Sequence, residues 1–321
     1  MSVADVESTP PPTYAGTVLP PFDSEQGVPL PELTAERLLT SWSFDPFPAV
    51  SLLAIAAFYL YGVWVLRRRG DHWPASRTFS FVVLGVGGGA VGTQSALATY
   101  DTELLSAHMV QHMVLSMVVP VFLALGAPVT LALRTLSRTP RSWLLAVLHS
   151  RLAAVLSFPA VAFVLFVVSP WALYFTGWYD ATLRSTYLHE VLHLHFVVVG
   201  SLFFWPLLGI DPVPGRVAYP FRLLTVFLTL PFHAFLGVTV MSMTNLIAGD
   251  WYTSLGRDWT TPMADQELAG AILWGSGDVV GLVIFGVLFA QWARHSQREA
   301  EREDRRLDME EARARQSARE R

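Results

Sequence analysis

The chain has 321 residues, of which 52% are hydrophobic and 15% are charged, and its formal net charge is −4. This composition is typical of a membrane protein, and the basic residues form no patch that would bind nucleic acid. The absence of cysteine excludes disulfides and thiolate chemistry, and all 22 basic residues are arginine. The absence of lysine excludes retinal proteins, lysine-dependent aldolases and pyridoxal phosphate enzymes, because each needs a lysine Schiff base.

Two polar segments flank the apolar part of the chain. Residues 1–45 are acidic and rich in proline and show no apolar period, so they are predicted to form a disordered extracytoplasmic tail. No apolar segment follows a basic start, so no signal peptide is expected. Residues 294–321 mix both signs of charge and are predicted to form a helical or disordered cytoplasmic tail.

Apolar segments of about 20 residues recur from Phe47 onward, and each is long enough to cross a hydrocarbon core of about 30 Å. The sequence therefore predicts an all-α integral membrane protein, in which residues 46–293 form a bundle of seven transmembrane helices. The predicted spans are residues 47–66, 79–98, 104–127, 152–174, 186–208, 220–247 and 268–292.

Arginine placement predicts the orientation of this bundle, because short cytoplasmic loops collect positive charge. Alternate loops are arginine-rich, and the loops between them are acidic or nearly neutral. The N-terminus is therefore predicted to lie outside and the C-terminus in the cytoplasm. The arginine-rich loops carry Arg67, Arg68, Arg69 and Arg77, then Arg134, Arg138, Arg141 and Arg151, then Arg216 and Arg222.

Two pairs of histidines lie near the predicted outer ends of spans three and five. His108 and His112 share one face of span three, and His189 and His193 share one face of span five. Buried polar side chains in a membrane carry a desolvation cost and normally mark a site. Two such pairs at matched depth predict a shared metal site, whereas His195 and His233 are interpreted as packing residues.

Weaker candidate ligands are Met241 and Met243 in span six and Asp278 in span seven. Thioether and imidazole donors without cysteine favour Cu(I) as the metal. Met109, Met113 and Met117 form a further stripe beside the histidines of span three. For Asp278, the sequence leaves three roles open: orienting a histidine, relaying protons, or accepting a structural hydrogen bond.

The stretch LHEVLHLH at residues 188–195 contains the H-E-x-x-H pattern, in which His189 and His193 would hold zinc and Glu190 would act as general base. A catalytic zinc site needs a third protein ligand and a water position. The nearest candidate for that ligand lies in GIDPVPG at 209–215, which is predicted on the opposite side of the membrane. No catalytic residue is therefore predicted, and an intramembrane zinc metalloenzyme is kept as an alternative, together with a copper importer.

The chain resembles the polytopic CtaG family of cytochrome c oxidase assembly factors, which serve caa-type oxidases. The resemblance rests on HMVQHMVLSMVVPVFLALGAPVTLALR in span three and YLHEVLHLHFVVVGSLFFWPLLGIDPVP through span five, and it covers most of residues 47–292. It implies a multi-pass protein of the bacterial plasma membrane that matures a haem-copper oxidase. It also implies that the protein delivers copper to an oxidase subunit at the outer face, and it is compatible with a homo-oligomer. The ligands it implies are His108, His112, His189 and His193, with Met241, Met243 and Asp278 as weaker ones.

Overall fold

The computed structural model describes residues 30–320, and within this range the chain is helical with no strand. Residues 1–29 of the predicted N-terminal tail lie outside the described residues. We number the helices in chain order and treat two long, locally irregular helices as single elements. They are α1 (Ala35–Thr40), α2 (Pro46–Arg68), α3 (Ala75–Tyr100), α4 (Leu105–Leu125), α5 (Pro128–Thr135), α6 (Arg138–Leu148), α7 (Arg151–Leu156), α8 (Pro159–Phe175), α9 (Trp178–Leu183), α10 (Thr186–Leu208), α11 (Tyr219–Ser242), α12 (Gly249–Ser254) and α13 (Pro262–Glu320).

Six of the described helices are long and apolar enough to cross a membrane: α2, α3, α4, α10, α11 and α13. The prediction of an all-helical, multi-pass membrane protein is thus confirmed. The predicted span at 152–174 is instead divided into α7 and the 17-residue α8. Phe158 has extended backbone because the ring of Pro159 disfavours the helical region for the residue before it. Pro159 then occupies the first position of α8, where a missing N–H costs nothing.

The last helix, α13, has 59 residues and passes through the predicted boundary at residue 294 without a break. Its charged end is helical, in agreement with one of the two forms predicted for this segment. Ion pairs three or four residues apart support it, each contributing about 0.2–0.5 kcal/mol. They join His295 to Glu299, Arg305 to Glu301, Arg306 to Glu303 and Glu310, and Arg315 to Glu311.

The helix α4 lies in the centre of the bundle. Of its most apolar 18-residue stretch, 61% is buried, which is the largest share among the six candidate spans. It approaches α10 closely at Gly200, where a Cβ would collide with the carbonyl oxygen of Ser116. Ser116 belongs to a π-helical segment, Val114–Val118, which begins two residues after His112. Such a segment shifts the helical register locally and is frequent at functional sites.

The loops of the bundle gather at two ends of different character. At one end, which we call the arginine end, Arg69 donates hydrogen bonds to the carbonyls of Arg134 and Thr135. At the other, the histidine end, α4 and α10 begin. There Trp259 donates to the carbonyl of Leu30 and Tyr100 donates to that of Pro31. Residues 30–45 are therefore attached to the histidine end of the bundle.

Candidate metal centre

The start of α4 is fixed by a carboxylate from a distant helix. Asp265, near the start of α13, accepts hydrogen bonds from Leu105 N at 2.7 Å and from Ser106 Oγ at 2.5 Å. A side-chain acceptor at a helix N-terminus satisfies amide groups that have no partner within the helix. This contact sets the position from which α4 carries His108 and His112 into the bundle.

Three buried side chains form a cluster at the histidine end: Asp101, His189 and His193. His189 Nε2 lies 2.9 Å from Asp101 Oδ2, and His193 Nε2 lies 3.5 Å from the same oxygen. One ligand atom from each residue falls within 4.8 Å of the other two. Two imidazoles and a carboxylate that converge in this way are a donor set for a divalent transition metal.

Gln111 of α4 ties this cluster together. Its Nε2 donates to Asp101 Oδ2 at 2.8 Å and to the carbonyl of Gly92 at 2.9 Å. Its Oε1 lies 3.1 Å from His193 Nε2, which is the donor in this pair because an amide oxygen can only accept. Helices α3, α4 and α10 are thus joined by a polar network built around Asp101.

Asp101 carries the negative charge of the cluster. Burial by itself would raise the pKa of this carboxyl, but the ion pair with His189 and the hydrogen bonds from both histidines lower it well below its ordinary value. The side chain is therefore ionised at neutral pH. It can act as a ligand without first losing a proton.

Glu190 contacts the opposite edge of His193. Its Oε1 lies 3.7 Å from His193 Nδ1, whereas the Nε2 of that ring faces Asp101. A carboxylate behind a ligating histidine fixes the orientation of the ring and raises its basicity. Glu190 also neighbours Asp45, whose pKa is raised by burial and by the negative charge of Glu190. Glu190 therefore supports His193 from behind and does not face the centre of the cluster.

His108 and His112 have a different partner. His108 Nε2 lies 3.1 Å and His112 Nδ1 lies 3.0 Å from the hydroxyl of Tyr174, which comes from α8. Phe196 stacks on the ring of His112 at 4.1 Å between centroids. The bridging hydroxyl uses one nitrogen of each imidazole, so this pair is held by α8 and not by the other two histidines.

The four predicted histidines therefore lie in one region but form two groups. The closest approach recorded between the groups is that of His108 and His189, whose ring centroids are 6.3 Å apart. The Nδ1 atoms of His108 and His189 are buried and have no hydrogen-bond partner among the described residues. An unpaired buried nitrogen costs about 1–3 kcal/mol, so the region holds more ligating capacity than its protein contacts use. These residues fit a metal ion.

The weaker predicted ligands have packing contacts of their own. Met241 is at the interface of α11 with α13, where its backbone would collide with a Cβ on Gly270. Met243 follows the end of α11 and packs against the apolar core. Asp278 lies beside the contact of Gly277 with His233, and its Oδ1 is buried without a hydrogen-bond partner among the described residues. Met109, Met113 and Met117 belong to the apolar core.

No sequence motif pointed to Asp101, Gln111 or Tyr174 as residues of the site. One signal for Asp101 was present, because it lies in a short loop at the same predicted membrane face as the histidines. No spacing pattern links Tyr174 to His108 and His112.

The two residues interpreted as packing histidines have hydrogen-bond partners outside the cluster. His195 pairs with Ser169, and His233 Nδ1 lies 3.3 Å from the carbonyl oxygen of Thr229.

The GIDPVPG stretch has a structural role at the arginine end. Asp211 is buried and accepts hydrogen bonds from Val129 N at 3.0 Å, Thr130 N at 2.8 Å and Thr130 Oγ1 at 2.5 Å. It thus caps the N-terminus of α5. This aspartate is occupied far from the histidine cluster, so it is not the third ligand of an H-E-x-x-H site.

The fold and the cluster together define a polytopic α-helical membrane protein with a buried histidine and carboxylate centre. The family model described as cytochrome c oxidase caa3 assembly factor (Caa3_CtaG) matches residues 57–295. The chain belongs to this family, which confirms the resemblance found in the sequence.

Mycobacterial relatives extend the comparison. An uncharacterized protein of Mycobacterium bovis and another of Mycobacterium tuberculosis are each 40% identical to the chain over 296 residues, covering 89% of the chain and 45% of the relative. An uncharacterized protein of Mycobacterium leprae is 39% identical over 280 residues, covering 85% of the chain and 42% of the relative. The chain therefore spans less than half the length of these relatives. No solved structure shows significant similarity to it.

Proposed function

We propose that this protein assists the assembly of a haem-copper cytochrome c oxidase by binding copper at Asp101, His189 and His193 and passing it to an oxidase subunit. Family membership supports the role in assembly. The convergence of these three buried side chains is the observation that carries the role in metal binding. Copper is the cargo of this function, held transiently and then released.

The three residues of the proposed site, Asp101, His189 and His193, offer only nitrogen and oxygen donors. The sequence favours Cu(I) only where the thioethers of Met241 and Met243 take part in the site. Imidazole and carboxylate donors suit Cu(II) better than they suit Cu(I). We therefore propose that Asp101 and the two histidines hold copper in its oxidised form, with a bound solvent molecule or the recipient completing the coordination.

We also propose seven spans, with the histidine end outside the cell and the arginine end in the cytoplasm. Arg69, Arg77 and Arg134 lie together at one end, as Arg69 contacts Arg134 and both Arg77 and Arg134 lie over Trp73. Such clustering favours the cytoplasmic side. The 17 residues of α8 reach the lower limit of about 17 for a spanning helix.

Cysteine accessibility tests this topology directly, because the chain has no cysteine of its own. In intact cells, a membrane-impermeant maleimide is expected to label Ser254→Cys at the histidine end. It is expected to label Ser142→Cys, on the exposed part of α6, only after the membrane is permeabilised. Labelling of both positions from outside would contradict an odd number of spans between them.

Metal analysis tests the binding site. The purified protein is loaded with Cu(II) and, anaerobically, with Cu(I), and bound metal is compared between the wild type and a His189→Ala/His193→Ala variant. The double variant is expected to lose copper and to leave the oxidase without its copper in cells, although the protein is still inserted. A His72→Ala/His149→Ala variant is the matched control. Equal copper in both variants and in the wild type would refute the proposed site.

An intramembrane zinc enzyme is the second candidate, because Asp101 would provide a third ligand beside His189 and His193. Against it, Glu190 lies behind His193 and not at the centre of the cluster, so it is not placed to activate a bound water. Glu190→Gln separates the two functions. In a hydrolase it would abolish activity, whereas in a carrier it is expected to weaken metal binding by about 10–100-fold and leave transfer intact at saturating metal. Copper uptake into sealed vesicles tests the importer alternative.

A further inference from the structure

An apolar groove connects the metal cluster with the side of the bundle. It lies between α2, α3, α4 and α10 and encloses about 250 Å³. Leu52 and Ile55 of α2 form one wall, and Leu194 and Val197 of α10 form the other. His193 and Glu190 also line it. A molecule in this groove would therefore reach a candidate copper ligand without crossing water.

The groove opens toward the bilayer because α2 is a peripheral helix. Only 22% of its most apolar 18-residue stretch is buried, compared with 61% for that of α4. Large apolar side chains of α2 next to the groove, including Phe47 and Leu53, are more than 60% exposed. In a membrane these surfaces face lipid or another helix.

The water side of the cluster is covered by α12 and its flanking residues. Trp251 donates a hydrogen bond to the carbonyl of Thr102, the residue next to Asp101. The buried hydroxyls of Tyr252 and Tyr179 lie 2.6 Å apart, and the ring of Tyr179 packs on His108 with centroids 4.8 Å apart. Asp101, His189 and His193 are all buried, so a water-soluble domain at this end has no direct access to them.

We propose that the recipient of the copper is a membrane-embedded segment, namely a transmembrane helix of the oxidase subunit that docks between α2 and α10. This inference rests on the proposed function and names the partner's chemistry: an apolar helix whose side chains enter the groove and whose metal ligands meet His193. The groove is smaller than the about 300–1,000 Å³ of typical small-molecule pockets, a size that suits inserted side chains. The copper then passes from the histidine end of the bundle to the docked helix without entering water.

Crosslinking tests the docking site in the naturally cysteine-free chain. Leu194→Cys, in the groove, is modified with a short photoreactive maleimide in cells that express the oxidase, and adducts are identified with antibodies to its subunits. The expected result is an adduct whose crosslinked peptide comes from a transmembrane segment of an oxidase subunit. Leu224→Cys on the lipid-facing side of α11 is the matched control and should give none. Adducts only with lipid at both positions, or with a soluble domain, would overturn the proposal.

Filling the groove separates this inference from the proposed function. Leu194→Trp should retain the copper bound by the wild type but lose most of the copper-dependent oxidase activity, whereas Leu224→Trp should retain both. Copper retention with normal oxidase in Leu194→Trp would refute the docking site and leave the proposed function standing. Absence of copper binding in the wild type would refute the proposed function itself. If Leu194→Trp fails to fold, Val197→Phe, which adds less volume to the groove, is used instead.

Discussion

The carboxylate of Asp101 lies 2.9 Å from Nε2 of His189, although the two residues are 88 positions apart in the chain. This contact joins the loop after α3 to the first turns of α10. It adds a carboxylate to His189 and His193, and the three side chains form one centre.

Asp101→Asn is expected to reduce copper affinity by at least about tenfold, because the variant loses the anionic ligand and the charge that favours His189 in the cluster. Isothermal titration with Cu(II) measures the change. Asp180→Asn is the control, since that aspartate pairs with Arg184 on the surface. Unchanged affinity in Asp101→Asn would remove Asp101 from the site.

Tyr174→Phe is expected to destabilise the protein by about 1–3 kcal/mol, because it leaves buried nitrogens of His108 and His112 without their hydroxyl partner. Thermal unfolding in detergent measures the loss, with the exposed Tyr187→Phe as control. Copper bound at the other histidine pair should be retained. Loss of copper without loss of stability would instead show that all four histidines act as one site.

Gly200→Val is expected to prevent the close approach of α4 and α10, because its side chain would collide with the backbone at Ser116. A rigid backbone neighbour cannot move aside as a flexible side chain can. The monodisperse fraction on size-exclusion chromatography should fall sharply. Gly275→Val, which has open space around it, serves as the control. Equal behaviour of the two variants would contradict the contact described here.

Asp211→Ala is expected to cost about 0.5–2 kcal/mol of stability, the usual range for loss of a helix cap, and to leave copper affinity unchanged. Thermal unfolding and metal titration on the same preparation check both parts. Asp250→Ala, at an exposed position in α12, is a suitable control. If Asp211→Ala bound no metal yet kept its stability, the GIDPVPG stretch would belong to a metal site after all.

The sequence determined the class of the protein and most of its membrane helices. Runs of about 20 apolar residues specify helices independently of their neighbours, because backbone polar groups in lipid must be satisfied within the segment. For this reason the predicted spans 47–66 and 186–208 agree closely with α2 and α10. The start predicted at residue 152 was wrong, because Pro159 divides an apolar run whose hydropathy is continuous.

The histidines themselves were also visible in the sequence, since i and i+4 spacing places two side chains on one helical face. Which groups face each pair was decided only by the tertiary structure. Asp101 reaches His189 and His193 because α3 and α10 meet at the histidine end, and Tyr174 reaches His108 and His112 because α8 packs beside α4. Helix packing depends on side-chain shape along whole surfaces, so no local spacing encodes these contacts.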